Sequence, residues 1–194
     1  MKVKKMPVFA MILVMILMCL TGCSKSESWA YNFDDTKEIL RLNGDGTAVY
    51  QAKIFVDGIQ KTEERKYTSY KKDDSYLTLS GSDGELKMRC KTTDDGLVLY
   101  EKSTYVYTPR EGYERGDGIV GVWTNTGTDR LFYEFSDKGN FMEDGVFVGD
   151  YFLDGEPGSI RLDYYDDLPD TILYYTIEGD EMTVEYPWEL VPTK

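Results

Sequence analysis

The sequence contains no histidine. That absence removes the imidazole base of Ser-His-Asp and Cys-His catalysis, and with it the commonest ligand of zinc, copper and haem. Chemistry has to be sought in carboxylates, thiols and aromatic rings. The densest acidic run is Asp163-Tyr164-Tyr165-Asp166-Asp167-Leu168-Pro169-Asp170. Its four carboxylates, Asp163, Asp166, Asp167 and Asp170, are candidate oxygen ligands for Ca²⁺ on one hairpin loop; the plainer reading is a solvated turn. Asn43-Gly44-Asp45-Gly46 fails as an EF-hand, because Arg41 stands in the first-ligand place and Ala52 in that of the closing glutamate; a hairpin turn is expected there. Aromatic residues crowd Tyr164-Tyr165, Tyr174-Tyr175 and Tyr186-Pro187-Trp188. On a strand, one ring of each adjacent pair faces inward and its neighbour outward. Tyr165, Tyr175 and Trp188 are the candidate ligand-binding rings, suited to stacking on a sugar or a protein partner. Acids number 35 against 22 Lys and Arg, so nothing selects one pair for glycoside hydrolysis. No cofactor is expected and an enzyme is not expected. A carboxylate-dependent hydrolase, the third reading, would require two acids facing one cleft, one of them with a raised pKa.

The beginning of the chain suggests where such groups would work. Lys2, Lys4 and Lys5 precede an apolar run over 8–20, which ends in Leu20-Thr21-Gly22-Cys23. A basic start and an apolar run shorter than the roughly 20 residues of a spanning helix describe a secretory signal. The last four residues resemble the lipobox of bacterial lipoprotein precursors. The resemblance implies cleavage after Gly22, a diacylglyceryl group on the Cys23 thiol and a fatty acyl group such as palmitate on the new amine. The protein would then be lipid-anchored to the cell membrane, exposed on the extracytoplasmic side; two or more chains anchor stably where one does not.

Removing 1–22 takes away three lysines and no acid, so the formal charge moves from −13 to −16. Such a field repels phosphate, and no nucleic-acid partner is expected. Of three cysteines, Cys19 leaves with the signal and Cys23 carries lipid. Cys90 remains alone, with no intrachain disulfide. It shares a face with Leu86 and Met88 by alternation, which describes a buried structural thiol rather than a nucleophile.

Behind the candidate residues lies a β pattern. Short alternating segments over 47–56, 76–79, 96–100, 131–135, 159–164 and 182–186 are punctuated by Gly, Asp and Asn, as in antiparallel barrels and sandwiches. They form a weak repeat. Trp29 opens one copy and Trp123 the other. Glu38-Ile39-Leu40-Arg41-Leu42 matches Arg130-Leu131-Phe132-Tyr133-Glu134-Phe135, and Asn43-Gly44-Asp45-Gly46 matches Ser136-Asp137-Lys138-Gly139. Tyr76-Leu77-Thr78-Leu79 matches Ser159-Ile160-Arg161-Leu162, and the copies close at 96–100 and 179–185, each with a final short strand ending at Pro109 or Pro192. The segments expected are a signal peptide (1–22), a lipidated tether (23–28), a first β unit (29–109), a linker (110–118) and a second β unit (119–194); one barrel built from both halves is the alternative.

Gly121-Val122-Trp123 is similar to the Gly-x-Trp opening of lipocalin-like (calycin) barrels; the first copy departs from it with Glu27-Ser28-Trp29. The resemblance implies two tandem small antiparallel up-and-down barrels, with each tryptophan packed across a closed end, and often a small apolar ligand. The functional expectation is a membrane-anchored binding module for a small molecule, a glycan or a protein partner, with Ca²⁺ a possible further ligand. The alternative is an envelope-maintenance lipoprotein acting through protein contacts alone.

Overall fold

The computed structural model describes residues 25–33, 36–56, 59–111, 115–116, 118–153 and 155–193. Gly22 and Cys23, and with them the expected cleavage and lipidation, lie outside the described residues. Among the described residues the fold has fifteen antiparallel strands: β1 (Glu27–Phe33), β2 (Thr36–Leu42), β3 (Ala48–Val56), β4 (Ile59–Tyr67), β5 (Ser69–Lys72), β6 (Tyr76–Gly81), β7 (Gly84–Thr92), β8 (Leu97–Tyr107), β9 (Gly121–Asn125), β10 (Phe132–Phe135), β11 (Asn140–Glu143), β12 (Phe147–Phe152), β13 (Ser159–Tyr164), β14 (Thr171–Glu178) and β15 (Glu181–Pro192). No helix is present among the described residues. The all-β antiparallel character that alternation and turn spacing imply, and the up-and-down order that the resemblance implies, are the observed ones.

Strands β8 to β15 pair each with the next, and β15 returns to pair with β8, closing an eight-stranded antiparallel barrel. Closure leaves this sheet without an open edge. The earlier strands continue outward from the same pair: β1, β2, β3 and β4 from β15, and β7, β6 and β5 from β8. Strands β4 and β5 are successive, and at the bend between them Thr68 donates its backbone N–H to the Ser80 carbonyl at 2.9 Å. The first-half sheet therefore curls round its own core.

Two apolar cores result, and they occupy corresponding places in the repeat. Trp29, Leu40, Leu42, Leu77, Leu79, Leu97 and Leu99 are buried in the first. Trp123, Tyr133, Phe135, Ile160, Leu162, Met182 and Val184 are buried in the second. Alternate residues of one strand face the same side, so each matched strand contributes the same inward pair. The matched turns agree bond for bond. Asn43 N–H donates to Thr47 O and Gly46 N–H to Asn43 O; Ser136 N–H donates to Asn140 O and Gly139 N–H to Ser136 O. Gly46 (φ +90°) and Gly139 (φ +86°) take the left-handed conformation that such turns need. Asp45, read as a turn residue, accepts from the Thr47 backbone and hydroxyl at 2.9 and 2.7 Å, which holds its carboxyl below the usual range.

Two strands are longer than their sequence suggests. Residues 96–100 and the short strand ending near Pro109 are one strand, β8, and their counterparts in the second copy are one strand, β15. The two pair over ten positions, from Glu181 opposite Val106 to Leu190 opposite Leu97. The N-terminal part of β8 pairs with β7 and its C-terminal part with β9; β15 starts against β14 and ends against β1. The last strand of the second copy thus also completes the first sheet. Part of 110–118 is fastened to the barrel: Arg110 pairs with buried Glu134, and Arg115 pairs with Asp180 and lies over the rings of Tyr107 and Trp123.

Candidate functional site

The β8–β15 ribbon presents one continuous inner face. By alternation and register it carries Leu97, Leu99, Glu101, Ser103 and Tyr105 on β8, set against Leu190, Trp188, Tyr186, Val184 and Met182 on β15. Both ends of that series are buried, Leu97, Leu99 and Leu190 in the first core and Tyr105, Met182 and Val184 in the second. Between the cores Glu101 stands directly opposite Tyr186. Here a cleft of about 810 Å³ opens, bounded by β1, β2, β8, β15 and the mouth of the closed barrel. The volume lies within the range of small-molecule sites.

Four carboxylates line this cleft: Glu38, Glu101, Glu143 and Asp144. Three of them sit where alternation demands an apolar residue, Glu38 in step with Leu40 and Leu42, Glu101 with Leu97 and Leu99, and Glu143 with Phe141. Glu143 accepts from the hydroxyls of Tyr133 and Tyr164, both at 2.7 Å. Burial raises its carboxyl despite these two bonds. The Glu101 carboxyl is pushed up to about 8, first by burial, then by the neighbouring Glu38 charge; the Trp188 indole N–H, donating to it, opposes the rise. Asp144 is raised to about 6, again mainly by burial, while the Phe132 N–H donates to it at 2.8 Å. Asp144 takes a left-handed conformation (φ 55°) at the β11–β12 turn, beside Gly145. Burial likewise carries the Tyr105, Tyr133, Tyr164 and Tyr186 hydroxyls above their usual range, so these phenols stay protonated donors.

Aromatic rings form the remaining wall. Trp188 meets Tyr31 edge-on at 4.9 Å and Tyr186 at 5.5 Å between ring centres. Across the mouth, Tyr105 packs on Tyr133 at 5.3 Å, and Tyr164 on Phe141 and Phe147 at 5.1 and 6.3 Å. Phe147 and Leu168 are exposed at the rim. A smaller hollow of about 190 Å³, also lined by Glu101, includes Tyr50, Glu63 and Arg65, and the buried Tyr50 hydroxyl has no hydrogen-bond partner among the described residues.

The ring candidates separate. Trp188 lines the cleft. Tyr165 is exposed, its hydroxyl donating to Asp150 at 2.7 Å and accepting from Asn140 at 2.9 Å. Tyr175 packs against the second core, and Tyr174 is the outward member of that pair, beneath the Arg89 guanidinium at 3.8 Å. The candidate calcium loop does not assemble as a cage. Arg161 takes up two of its carboxylates, Asp170 at 3.2 Å and Asp163 at 3.8 Å. Among the described residues no three His, Cys, Asp or Glu side chains converge on a metal position. Cys90 is buried with Met88 in the first core, and burial raises its thiol. The cleft residues that no motif marks are Glu38, Glu101, Glu143, Asp144 and Tyr186; for the three glutamates the signal is an acid in phase with an inward apolar row, and Asp144, in a turn, carries none. Comparison with protein-family models, curated proteins and solved structures gives no match to this chain.

Proposed function

We propose that the chain is an exported binding module, lipid-anchored through Cys23, that takes a small molecule into the cleft along the β8–β15 ribbon. In this reading 29–109 and 119–194 are two lipocalin-like units, and the site is built at their junction rather than inside either core. The observation that carries it is a cleft of about 810 Å³ whose walls combine clustered aromatic rings with a few buried polar groups, the usual make-up of a ligand site. A thermal-shift panel on the full chain in detergent, run against amines, glycans and apolar compounds, tests it. A ligand at about 100 times its Kd raises stability by about 2.7 kcal/mol, and Trp188→Leu should remove that shift. A panel without a specific shift refutes the small ligand and leaves protein contacts as the function. Labelling with a fatty-acid analogue tests the anchor: the natural chain takes up label and Cys23→Ala does not.

One observation favours a hydrolase as the second reading, since Glu101 at about 8 and Asp144 at about 6 face one cleft, and separated acid pKa values mark acid–base pairs. Binding is preferred because Glu143 has both oxygens engaged by tyrosines and Asp144 is fastened to the Phe132 N–H. Turnover of an aryl glycoside, lost in both Glu101→Gln and Asp144→Asn, would reverse that preference.

A further inference from the structure

Resting on the ligand-cleft reading, we propose that the cleft selects a compact organic cation, an amine or a quaternary ammonium. Its charge sits against Glu101, which stands opposite Tyr186, and its carbon surface lies on Tyr186 and Trp188.

The first ground is a charge imbalance. Four acids line the cleft, and among the described residues the only basic lining residue is Lys102. Its neighbours Glu101 and Ser103 lie on the inner face, so alternation turns Lys102 outward, where its ammonium lies 3.4 Å from Glu185. The groups that face the acids from inside are dipoles: the Tyr133 and Tyr164 hydroxyls on Glu143, the Phe132 N–H on Asp144 and the Trp188 N–H on Glu101. Dipoles orient a carboxylate but do not neutralise it, and each of these three carboxyls is raised with burial as the leading cause. A positive ligand reverses that balance, favouring the ionised acids.

Other charges around Glu101 do not do the same. Glu38 on β2 adds repulsion. Beyond the smaller hollow, the Arg65 guanidinium on β4 is tied to Glu63 at 2.7 Å. Tyr50 on β3 contributes a hydroxyl that has no partner among the described residues, not a charge.

The second ground is the aromatic wall. The Trp188 ring centre lies 4.9 Å from that of Tyr31 and 5.5 Å from that of Tyr186, and ring faces attract desolvated cations. A neutral sugar would stack there and leave the acids unrelieved. An anion is repelled, and a bare metal ion finds no converging carboxylates among the described residues. The chain's net charge of −13 also draws cations toward the mouth.

Calorimetric titration of the full chain in detergent, at fixed ionic strength and near neutral pH, tests the proposal. The probes are choline against its uncharged carbon isostere dimethylbutanol, and phenethylamine against phenethyl alcohol, each in two buffers of unlike ionisation enthalpy. The expected result is a cation binding about tenfold or more tightly than its isostere, with net proton release. Glu101→Gln should weaken the cation about tenfold and reduce the proton release while leaving the isostere unchanged. Glu101→Asp, which keeps the charge, should retain the preference. Equal binding of cation and isostere overturns the proposal and leaves the ligand cleft standing. Binding of only a glycan or an apolar compound does the same. Silence from every class overturns both.

Discussion

Glu101 concentrates the energetic tension of the cleft in one side chain. Its carboxyl sits at about 8 in the fold against an ordinary 4.5. Below about pH 4.5 the acid is protonated whether folded or unfolded, and it costs nothing. Between there and about 8 the unfolded chain releases a proton that the folded chain keeps, so stability falls as pH rises, by about 1.4 kcal/mol for each unit between the two values. Glu101→Gln should therefore match the natural chain near pH 4.5 and melt progressively higher than it up to pH 8, as thermal melts across that window will read. A variant that melts lower throughout would mean the carboxylate is held by stabilising contacts instead. Asp144 is raised in the same way, but its side chain holds the turn as well as lining the mouth. Asparagine keeps the acceptor for Phe132 N–H and tolerates the left-handed backbone. Asp144→Asn should match the natural chain in urea unfolding near pH 3.8 and exceed it as pH rises toward 6, where burial keeps the carboxyl protonated only in the fold; at the lower pH Asp144→Ala should cost about 1–2 kcal/mol through the lost acceptor and backbone strain. The dense clusters of the sequence, at 163–170 and in the tyrosine pairs, are mostly surface or core. The cleft acids are dispersed over β2, β8 and β11, and only the closing of the sheet brings them to one chamber. Their local mark, a charge in phase with buried leucines, was present in the sequence but carries no information about which strands meet.

Strands show a different balance between local and global information. Turns were legible because four residues decide them: both Gly-containing turns of the repeat form the expected hairpins with the same bonds. Inward positions were legible through alternation, down to Cys90 beside Met88. Strand length was not. Lys102-Ser103-Thr104 reads as a polar interruption, yet these residues continue β8, because there the ribbon passes from one core to the other beside the cleft and is not required to be apolar. Pro187 likewise reads as a strand end, but it lies between the stretch of β15 paired with β14 and the stretch paired with β1, where no ladder bond is asked of its missing N–H. Packing between neighbouring strands sets a further limit at Gly149 on β12. A Cβ there would stand 2.0 Å from the Asp163 carbonyl oxygen and 2.7 Å from the Phe141 ring. Backbone cannot yield as a flexible side chain can, so Gly149→Ala should cost about 3 kcal/mol or more. The exposed neighbour Val148 offers the control, Val148→Ala changing the urea midpoint little.

At the scale of the molecule, the question is whether two cores joined by one ribbon unfold together. Independent halves joined by a free linker would melt separately, as their own stabilities dictate. Here β8 and β15 supply inward residues to both cores, and β15 is paired with β1 as well as β14. Melting the first sheet removes one partner from half of β8 and the end of β15, exposing the apolar rows that continue into the second core. The coupling free energy is then of the order of several buried side chains, each about 1.5–3 kcal/mol, which exceeds the difference expected between two small β units of similar size. We therefore expect one cooperative transition, with equal calorimetric and van't Hoff enthalpies. Leu79→Ala in the first core and Leu162→Ala in the second, both fully buried, should each cost roughly 2–5 kcal/mol and each move that single transition. Hydrogen exchange read separately on β6 and β13 gives the sharper check. Under coupling, either substitution lowers protection on both strands; if Leu79→Ala lowers it on β6 alone, the halves fold independently and the ribbon is only a shared wall. That outcome would also bear on the cleft, since a site built at the junction keeps its geometry only while both cores hold the ribbon in place.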